Sequence, residues 1–227
     1  MIVSEVLMQQ RRRSEGSPIN DPSREKIVVP AYYWADLKTK DLNRLCHQFQ
    51  TVEYSPHGFV LSILGRKILV DRDERCLKTL TSGSWGKIDY PLLELLILVY
   101  FLKGGPDTIK NEMIGIQELK DSHFFRGPHE FRLEPLLARY GSDPDGFEDA
   151  AEFLGGEPIN LAEIAYKIPA LPTVPLYYLF WEGDEEFEPR ISVLFDRSVE
   201  NYLSADAIWG LVNLVSDALL KAPNPPF

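Results

Sequence analysis

The longest apolar run in the sequence, Pro91 to Leu102, constrains the fold more than any other segment. It has the sequence PLLELLILVYFL, and Glu94 is its single charged residue. These twelve residues are too few for a membrane span, because a helix needs about 20 residues to cross a bilayer. Apolar side chains on every side of a helix must all be covered. We therefore expect a central helix that the rest of the chain surrounds, followed by a stop at Gly104 and Gly105.

Short β-prone segments precede this run. Phe59 to Leu64, Lys67 to Val70 and Cys76 to Leu80 are separated by turn-forming residues, which predicts a small antiparallel meander. Apolar residues at helical spacing over 42–49 predict a helix in front of it. Ser82 to Gly86 is predicted to be a loop that leads into the central helix.

The second half begins with helical patterns and continues with extended ones. Apolar spacing followed by glycine predicts short helices over 130–140 and 147–154. Alternation over 162–168 predicts a strand. Prolines recur at every third position over 169–175, which predicts an extended, polyproline-like connection to a second strand, PLYYLFW. A C-terminal helix is predicted after Ser204, whose hydroxyl is expected to cap it.

Together these elements predict an α+β fold. An N-terminal antiparallel meander, a central buried helix, a helical middle, and C-terminal strands and helix are expected to form one domain over residues 31–221. Residues 1–30 are expected to be a disordered polar lead-in and 222–227 a Pro-rich tail. The meander and the C-terminal strands are expected to pack on the same central helix, because that helix needs cover all round.

The charge is unevenly distributed along the chain. Residues 143–206 contain fifteen Asp and Glu against three Lys and Arg, a net charge of −12, whereas the whole chain carries −10. A nucleic acid partner is not expected, because nucleic-acid-binding domains usually show a basic stripe. The N-terminal arginines follow the apolar residues, the reverse of a secretory signal, so we expect a cytoplasmic protein without membrane attachment. Cys46 and Cys76 are expected to be free thiols.

An acidic turn interrupts the last extended segment, WEGDEEFEPRISVLFD, which runs from Trp181 to Asp196. Two interpretations of Asp184, Glu186 and their acidic neighbours remain open: a solvated turn, or a site for a hard cation such as Ca²⁺ or Mg²⁺. The ligand spacing matches no recognised loop, so no metal is predicted.

Alternation along the strand after this turn predicts that Ile191, Val193 and Phe195 point to one face and Asp196 to the other. An acid that ends an apolar strand is expected to be drawn into capping, or into pairing with Arg190 or Arg197.

A second constellation is SHFFRGPHEFR, in which His123, Arg126, His129 and Arg132 recur at three-residue steps among phenylalanines. These groups could hold a carboxylate or a phosphate. A second possibility is that His129 or His123 serves as an axial ligand of a haem or corrinoid. The alternative is ordinary surface histidines and paired arginines. Their spacing is not that of a zinc site.

Opposite charge and shared aromatic character make the two constellations candidate neighbours across a cleft. The hypothesis is geometric: the ring of His129 is expected within about 6 Å of Asp184, Glu186 or Asp196, and in a pocket with Trp181. A neighbouring carboxylate would stabilise the protonated imidazole. The alternative is that the same pairing only holds two loops together.

These residues also carry a resemblance to a known family. The segments LPTVPLYYLFWEGDEEFEPRISVLFDRSVENYLSADAI, EFRLEPLLARYGSDPDGFEDAAEFLGGE and PLLELLILVYFL resemble the domain-of-unknown-function family 3786 of bacteria and archaea. The likeness extends from about Leu37 to Leu220. It implies a single cytoplasmic α+β domain and no established activity.

Three functions remain as alternatives. The first is a non-catalytic accessory or ligand-binding protein, which fits a sequence without a nucleophile elbow, P-loop, Rossmann glycine pattern or HExxH motif. The second is a metal- or acid/base-dependent enzyme that uses Asp184, Glu186 and Asp196 with His129. The third is an interaction module whose acidic surface meets a basic protein partner. The sequence identifies no cofactor and no catalytic residue, and it leaves a small ligand or a protein as the partner.

Overall fold

The computed structural model describes residues 28–49, 52–105, 108–224 and 227. Of the predicted lead-in, residues 1–27 lie outside these ranges, as do residues 225 and 226 of the tail. Within them the chain forms seven α-helices and two five-stranded antiparallel sheets, which confirms the α+β class.

The bounds of the elements follow the chain in order. The strands are β1 Glu53–Ser55, β2 Gly58–Ile63, β3 Arg66–Asp71, β4 Cys76–Thr81, β5 Ser84–Ile88, β6 Met113–Ile114, β7 Glu157–Pro158, β8 Ile164–Leu171, β9 Val174–Trp181 and β10 Arg190–Asp196. The α-helices are α1 Ala31–Thr39, α2 Leu42–Gln48, α3 Pro91–Lys103, α4 Glu134–Tyr140, α5 Pro144–Phe153, α6 Val199–Tyr202 and α7 Ala205–Lys221. Three short 3-10 helices, Ile116–Glu118, Ser122–Phe124 and Gly127–His129, lie between β6 and α4.

The first sheet is a meander in which β1 to β5 pair in chain order, as predicted for β2, β3 and β4. The loop predicted over Ser82 to Gly86 is wrong. Ser82 and Gly83 form a two-residue turn with φ of +50° and +83°, and Ser84 already begins β5. Two consecutive residues with positive φ match the twist of a tight hairpin, so the chain turns back to form a fifth strand.

The second sheet has the order β6-β10-β9-β8-β7. The polyproline-like connection predicted between its central strands is wrong, because β8 and β9 form a tight hairpin in which Pro169 lies opposite Pro175. Pro172 and Thr173 make the turn, and the register is irregular between Pro169 and Leu171. A β-bulge is one of the few places where a sheet accepts proline, which lacks the backbone N–H of a regular ladder.

The central helix α3 is buried as expected, with Leu95 and Leu96 fully inaccessible to solvent. Both sheets contact it: the ring centroid of Phe59 in β2 lies 4.5 Å from that of Phe101, and the hydroxyl of Tyr100 lies 2.7 Å from that of Thr173. One cluster of apolar side chains joins both sheets to this helix. The expectation that the two β regions share one central helix is confirmed.

The single charge of the apolar run is accommodated at the first turn of α3. Glu94 accepts a hydrogen bond of 2.6 Å from the indole N–H of Trp34 in α1, and a helix N-terminus favours a negative charge. Among the described residues, none of the helices has the length and hydropathy that a bilayer span demands. Cys46 is half-buried, Cys76 is buried, and both are free thiols.

Of the remaining helices, α2 lies where it was predicted, α5 begins three residues before its predicted start, and α1 and α6 were not predicted. Two further corrections concern α4 and α7. α4 begins at Glu134 rather than at residue 130, which places Pro135 in its first turn, where a helix tolerates proline. α7 begins after Ser204 as predicted, but the hydroxyl of Ser204 donates to Asp206 instead of accepting a backbone N–H. The prediction that this hydroxyl caps the helix is therefore wrong.

Candidate functional site

The acidic turn, residues 182–189, connects two buried strands. β9 ends at Trp181, which lies opposite Arg190, the first residue of β10. Beyond it, Ile191, Val193 and Phe195 all point into the core, which confirms the predicted alternation. The four carboxylates of residues 184–188 are exposed.

Asp184 organises the acidic turn from within. Its Oδ1 accepts hydrogen bonds of 2.7 Å from the backbone N–H of Glu186 and from that of Phe187. The N–H of Asp184 in turn donates to the carbonyl of Phe187 at 2.9 Å. Hydrogen bonds to the charged form hold the pKa of Asp184 below its usual range. One oxygen of this carboxylate therefore helps to shape the turn.

A hollow of about 370 Å³ lies beside the acidic turn. Gly141 and Ser142, at the end of α4, form its other wall. Pro189 holds the walls close: a Cβ on Gly183 would lie 2.7 Å from its Cδ, and one on Gly141 would lie 3.2 Å from its Cγ. A side chain at Gly141 would therefore press on the turn, and one at Gly183 would distort the turn itself.

Phe187 stands at the tip of the turn with 70% of its surface exposed, more than any other large hydrophobic residue that the structure describes. Phe187 was not among the residues predicted for the site. The available signal was its position, because an aromatic residue between Glu186 and Glu188 in a charged turn has no strand or helix to bury it.

The segment from Ser122 to Arg132 consists largely of 3-10 turns. His123, Arg126 and Arg132 are exposed, whereas His129 is half-buried. The ring of His129 stacks on Phe124 with centroids 4.2 Å apart.

Trp209 of α7 completes the aromatic contacts of His129. Its ring meets the imidazole edge to face, at 5.6 Å between centroids and 87° between planes. The Trp209 indole N–H also donates to the carbonyl of Glu130, in the same segment, at 3.3 Å. The imidazole thus belongs to an aromatic cluster between this segment and α7.

The two predicted constellations meet at a different place from the one expected. The ring of Phe131 lies 5.9 Å from that of Phe195, near the last residue of β10. The acidic turn precedes the first residue of that strand, and the seven residues of β10 separate its ends by about 20 Å. The hollow beside the turn is lined by α4 and the turn itself, and His129 is not among its lining residues. The structure therefore does not bring His129 together with Asp184 and Glu186 in that hollow.

Asp196 is buried, with 1% of its surface exposed. Its Oδ1 accepts hydrogen bonds from the Ser198 N–H at 2.9 Å, the Ser198 hydroxyl at 2.5 Å and the Lys110 N–H at 3.0 Å. Burial alone would raise the pKa of Asp196, but these hydrogen bonds favour the carboxylate and hold its pKa below the usual value. The carboxylate is therefore bound by backbone N–H groups beyond the end of β10, but α6, whose N-cap residue is Ser198, has no side-chain cap.

The two arginines proposed as partners of Asp196 are engaged elsewhere, so that alternative is wrong. Arg197 forms ion pairs with Glu112 at 2.7 Å and with Glu118 at 3.2 Å. The guanidinium of Arg190 lies 4.2 Å above the ring of Trp181. Trp181 therefore contributes a stacking surface for this cation on the outward face of the second sheet.

The acidic residues of the described ranges do not converge with His or Cys as a metal site. Within those ranges no group of three or more His, Cys, Asp or Glu side chains is placed to hold a metal ion. The ligand-binding roles predicted for His123, Arg126, His129, Arg132, Trp181, Asp184, Glu186 and Asp196 remain predictions.

Comparison with known proteins gives one positive result. No curated protein and no solved structure matches the chain. The model of a family described as a domain of unknown function (DUF3786) matches residues 41–218. The match covers α2, both sheets, most of α7 and the acidic turn. The chain therefore belongs to the DUF3786 family.

Proposed function

We propose that this protein is a non-catalytic binding protein whose acidic turn binds a basic segment of a protein partner. The observation that supports this most directly is Phe187, an aromatic side chain 70% exposed among four carboxylates. Interfaces typically combine a central aromatic anchor with a charged or polar rim. The acidic turn has this arrangement, with Phe187 as the anchor and Glu185, Glu186 and Glu188 as the rim.

The geometry of the turn favours binding over catalysis. Asp184, the turn carboxylate whose pKa is lowered, uses Oδ1 to accept two backbone N–H groups of the turn. Those hydrogen bonds, together with Pro189, fix the backbone that carries Phe187. A partner therefore meets a loop whose shape is already set, which reduces the entropic cost of association.

The charge around the turn selects the partner. Residues 143–206 carry a net charge of −12, and Ser142 in the wall of the hollow leads directly into Asp143 and Asp145 at the start of α5. A concentrated negative field attracts basic segments and raises their rate of association at low salt. The expected partner segment contains Lys or Arg together with an apolar side chain that covers Phe187.

This proposal is tested with three short fluorescein-labelled peptides. In the first, Lys and Leu alternate; in the second, Glu replaces Lys; in the third, Gly replaces Leu. Fluorescence anisotropy is expected to show binding of the first peptide that weakens as ionic strength rises, since exposed charges are screened by salt. The second peptide is expected not to bind, and the third to bind weakly.

Two variants locate the binding surface. Phe187→Ser is expected to weaken binding of the Lys-Leu peptide about tenfold, the scale of an interface anchor. The triple variant Glu185→Gln/Glu186→Gln/Glu188→Gln is expected to weaken binding and to flatten its salt dependence, with an unchanged melting temperature.

A matched control removes the same number of carboxylates elsewhere. Asp36, Glu53 and Asp73 are exposed and lie outside the acidic turn, so Asp36→Asn/Glu53→Gln/Asp73→Asn is expected to retain affinity for the peptide. Equal loss in the control and in the turn variant would show a general effect of net charge and would contradict the proposal. So would equal binding of the Glu-Leu peptide.

A further inference from the structure

The outward face of the first sheet carries a patch of lysine and apolar side chains, whose charge is opposite to that of the acidic turn. Leu80 of β4 pairs directly with Trp85 of β5, and their exposed fractions are 46% and 39%. Lys78 pairs with Lys87, and because side chains alternate along a strand, Lys87 and Trp85 share one face. The opposite face carries Leu77 and Ile88, which belong to the main core.

Lys67 of β3 adds a second cation on the same face. It is two residues before Leu69, which pairs with Lys78, so its side chain points to the same side of the sheet. It makes an exposed ion pair of 3.4 Å with Glu53, and such pairs contribute little and exchange readily. Lys78 is different, because it is already bound between Asp71 and Glu74 at 2.8 Å and 2.9 Å. The basic corner is therefore defined by Lys67, Leu80, Trp85 and Lys87.

We propose that the basic corner receives the acidic turn of a second copy of this chain, so that copies associate head to tail. This inference rests on the proposed function, because it names the partner of the acidic turn. Phe187 of one copy covers the exposed pair of Leu80 and Trp85 in the next. The rim carboxylates of the turn face Lys67 and Lys87.

Charge complementarity supports this partner. Residues 143–206 carry −12 and the whole chain −10, so the rest of the chain carries about +2. Two copies that approach with like regions together would oppose their acidic turns, whereas a head-to-tail approach pairs each turn with a corner of opposite sign. Both surfaces present an aromatic ring, and an aromatic pair adds to the gain from burial.

The geometry also determines the kind of assembly. A contact between two different surfaces is heterologous. A row of associated copies therefore ends in one free acidic turn and one free basic corner, to which further copies can bind. The surfaces consist of a few side chains each, which corresponds to a small interface and weak association. The expected assembly is therefore concentration-dependent and sensitive to salt.

Sedimentation velocity of the full chain, from micromolar to millimolar concentration, measures this directly. The mean mass is expected to rise with concentration at low salt and to return to that of the monomer at high salt. The turn variant Glu186→Gln/Phe187→Ser and the corner variant Trp85→Ser/Lys87→Gln are each expected to remain monomeric.

Mixing these two variants gives the sharpest test. The turn variant keeps its corner and the corner variant keeps its turn, so an equimolar mixture is expected to form dimers of one copy of each and nothing larger. A mixture that stays monomeric although the wild-type chain assembles would overturn the head-to-tail contact. The variants with conserved charge, Glu186→Asp and Lys87→Arg, are expected to assemble like the wild type, and circular dichroism confirms folding of every variant used.

Controls separate this inference from the proposed function. Tyr54 is 61% exposed and Lys40 is exposed, so Tyr54→Ser/Lys40→Gln removes an aromatic ring and a cation outside the corner and is expected to assemble normally. Loss of assembly in this control would overturn the assignment of the corner. A wild-type chain that stays monomeric throughout but binds the Lys-Leu peptide would overturn self-association and leave the proposed function intact. A wild-type chain that neither self-associates nor binds the Lys-Leu peptide would overturn both the head-to-tail contact and the proposed function.

Discussion

Replacing Leu96 with Ala is expected to lower the free energy of unfolding by about 3 kcal/mol, within the usual range for a fully buried leucine. Leu96 has 0% of its surface exposed and lies in the middle of α3. Helices and both sheets pack around α3, so the lost methyl groups would leave a cavity that its neighbours can fill only in part. Urea denaturation followed by circular dichroism measures the change.

Leu92 offers a matched control on the same helix. It is only half-buried, so Leu92→Ala is expected to cost about half as much as Leu96→Ala or less, because less apolar area leaves water when the protein folds. Equal losses at the two positions would contradict the conclusion that α3 is more tightly enclosed at its centre than at its first turn.

The burial of α3 was predictable from the sequence for a simple physical reason. A run of apolar residues must be buried wherever it occurs, and the proximity of Glu94 to the helix N-terminus allows one charge within it. Alternation likewise predicted that Ile191, Val193 and Phe195 share one face, because successive side chains of a strand point to opposite faces. Both inferences depend on residues that are close together in the chain.

The features that the sequence did not predict depend instead on residues that are far apart in the chain. Phe131 meets Phe195 across 64 residues of chain, and Asp196 binds the backbone of Lys110 across 86. Neither contact leaves a periodic signal in the sequence. The acidic turn was recognised, but its partner across the hollow was expected to be His129 and is instead Gly141 and Ser142. The order of the strands in a sheet decides which loops are neighbours, and the sequence pattern did not determine that order.

The acidic turn and the basic corner show the same difference between local pattern and three-dimensional placement. The charged turn around Phe187 indicates exposure, whereas a strand pattern alone would assign Leu80 and Trp85 to a core. Only the register of β4 and β5 shows that Leu80 and Trp85 point away from it. All three lie within the segment that matches the family model, so the same surfaces can be sought in other members.

The buried carboxylate of Asp196 is expected to contribute as much to stability as a core leucine. Asp196→Ala removes the acceptor of two backbone N–H groups and one hydroxyl. A buried donor left without an acceptor costs about 1–3 kcal/mol, and this change leaves the buried N–H of Ser198 and the part-buried N–H of Lys110 without one. We therefore expect a loss of about 3 kcal/mol in the free energy of unfolding, measured by urea denaturation. Asp196→Asn keeps an acceptor oxygen and is expected to lose less.

The pH dependence of stability provides an independent check of this role. The folded pKa of Asp196 lies below the usual value for Asp, which is about 3.9. The unfolded chain therefore takes up the proton first, so the carboxylate stabilises the folded protein above about pH 4 and loses this effect as the pH falls through the folded pKa. Wild-type stability is expected to decrease more steeply below pH 4 than that of Asp196→Asn, with exposed Asp36→Asn as a control that follows the wild type. Parallel profiles for Asp196→Asn and the wild type would show that the carboxylate gains nothing from the charge it carries in the fold.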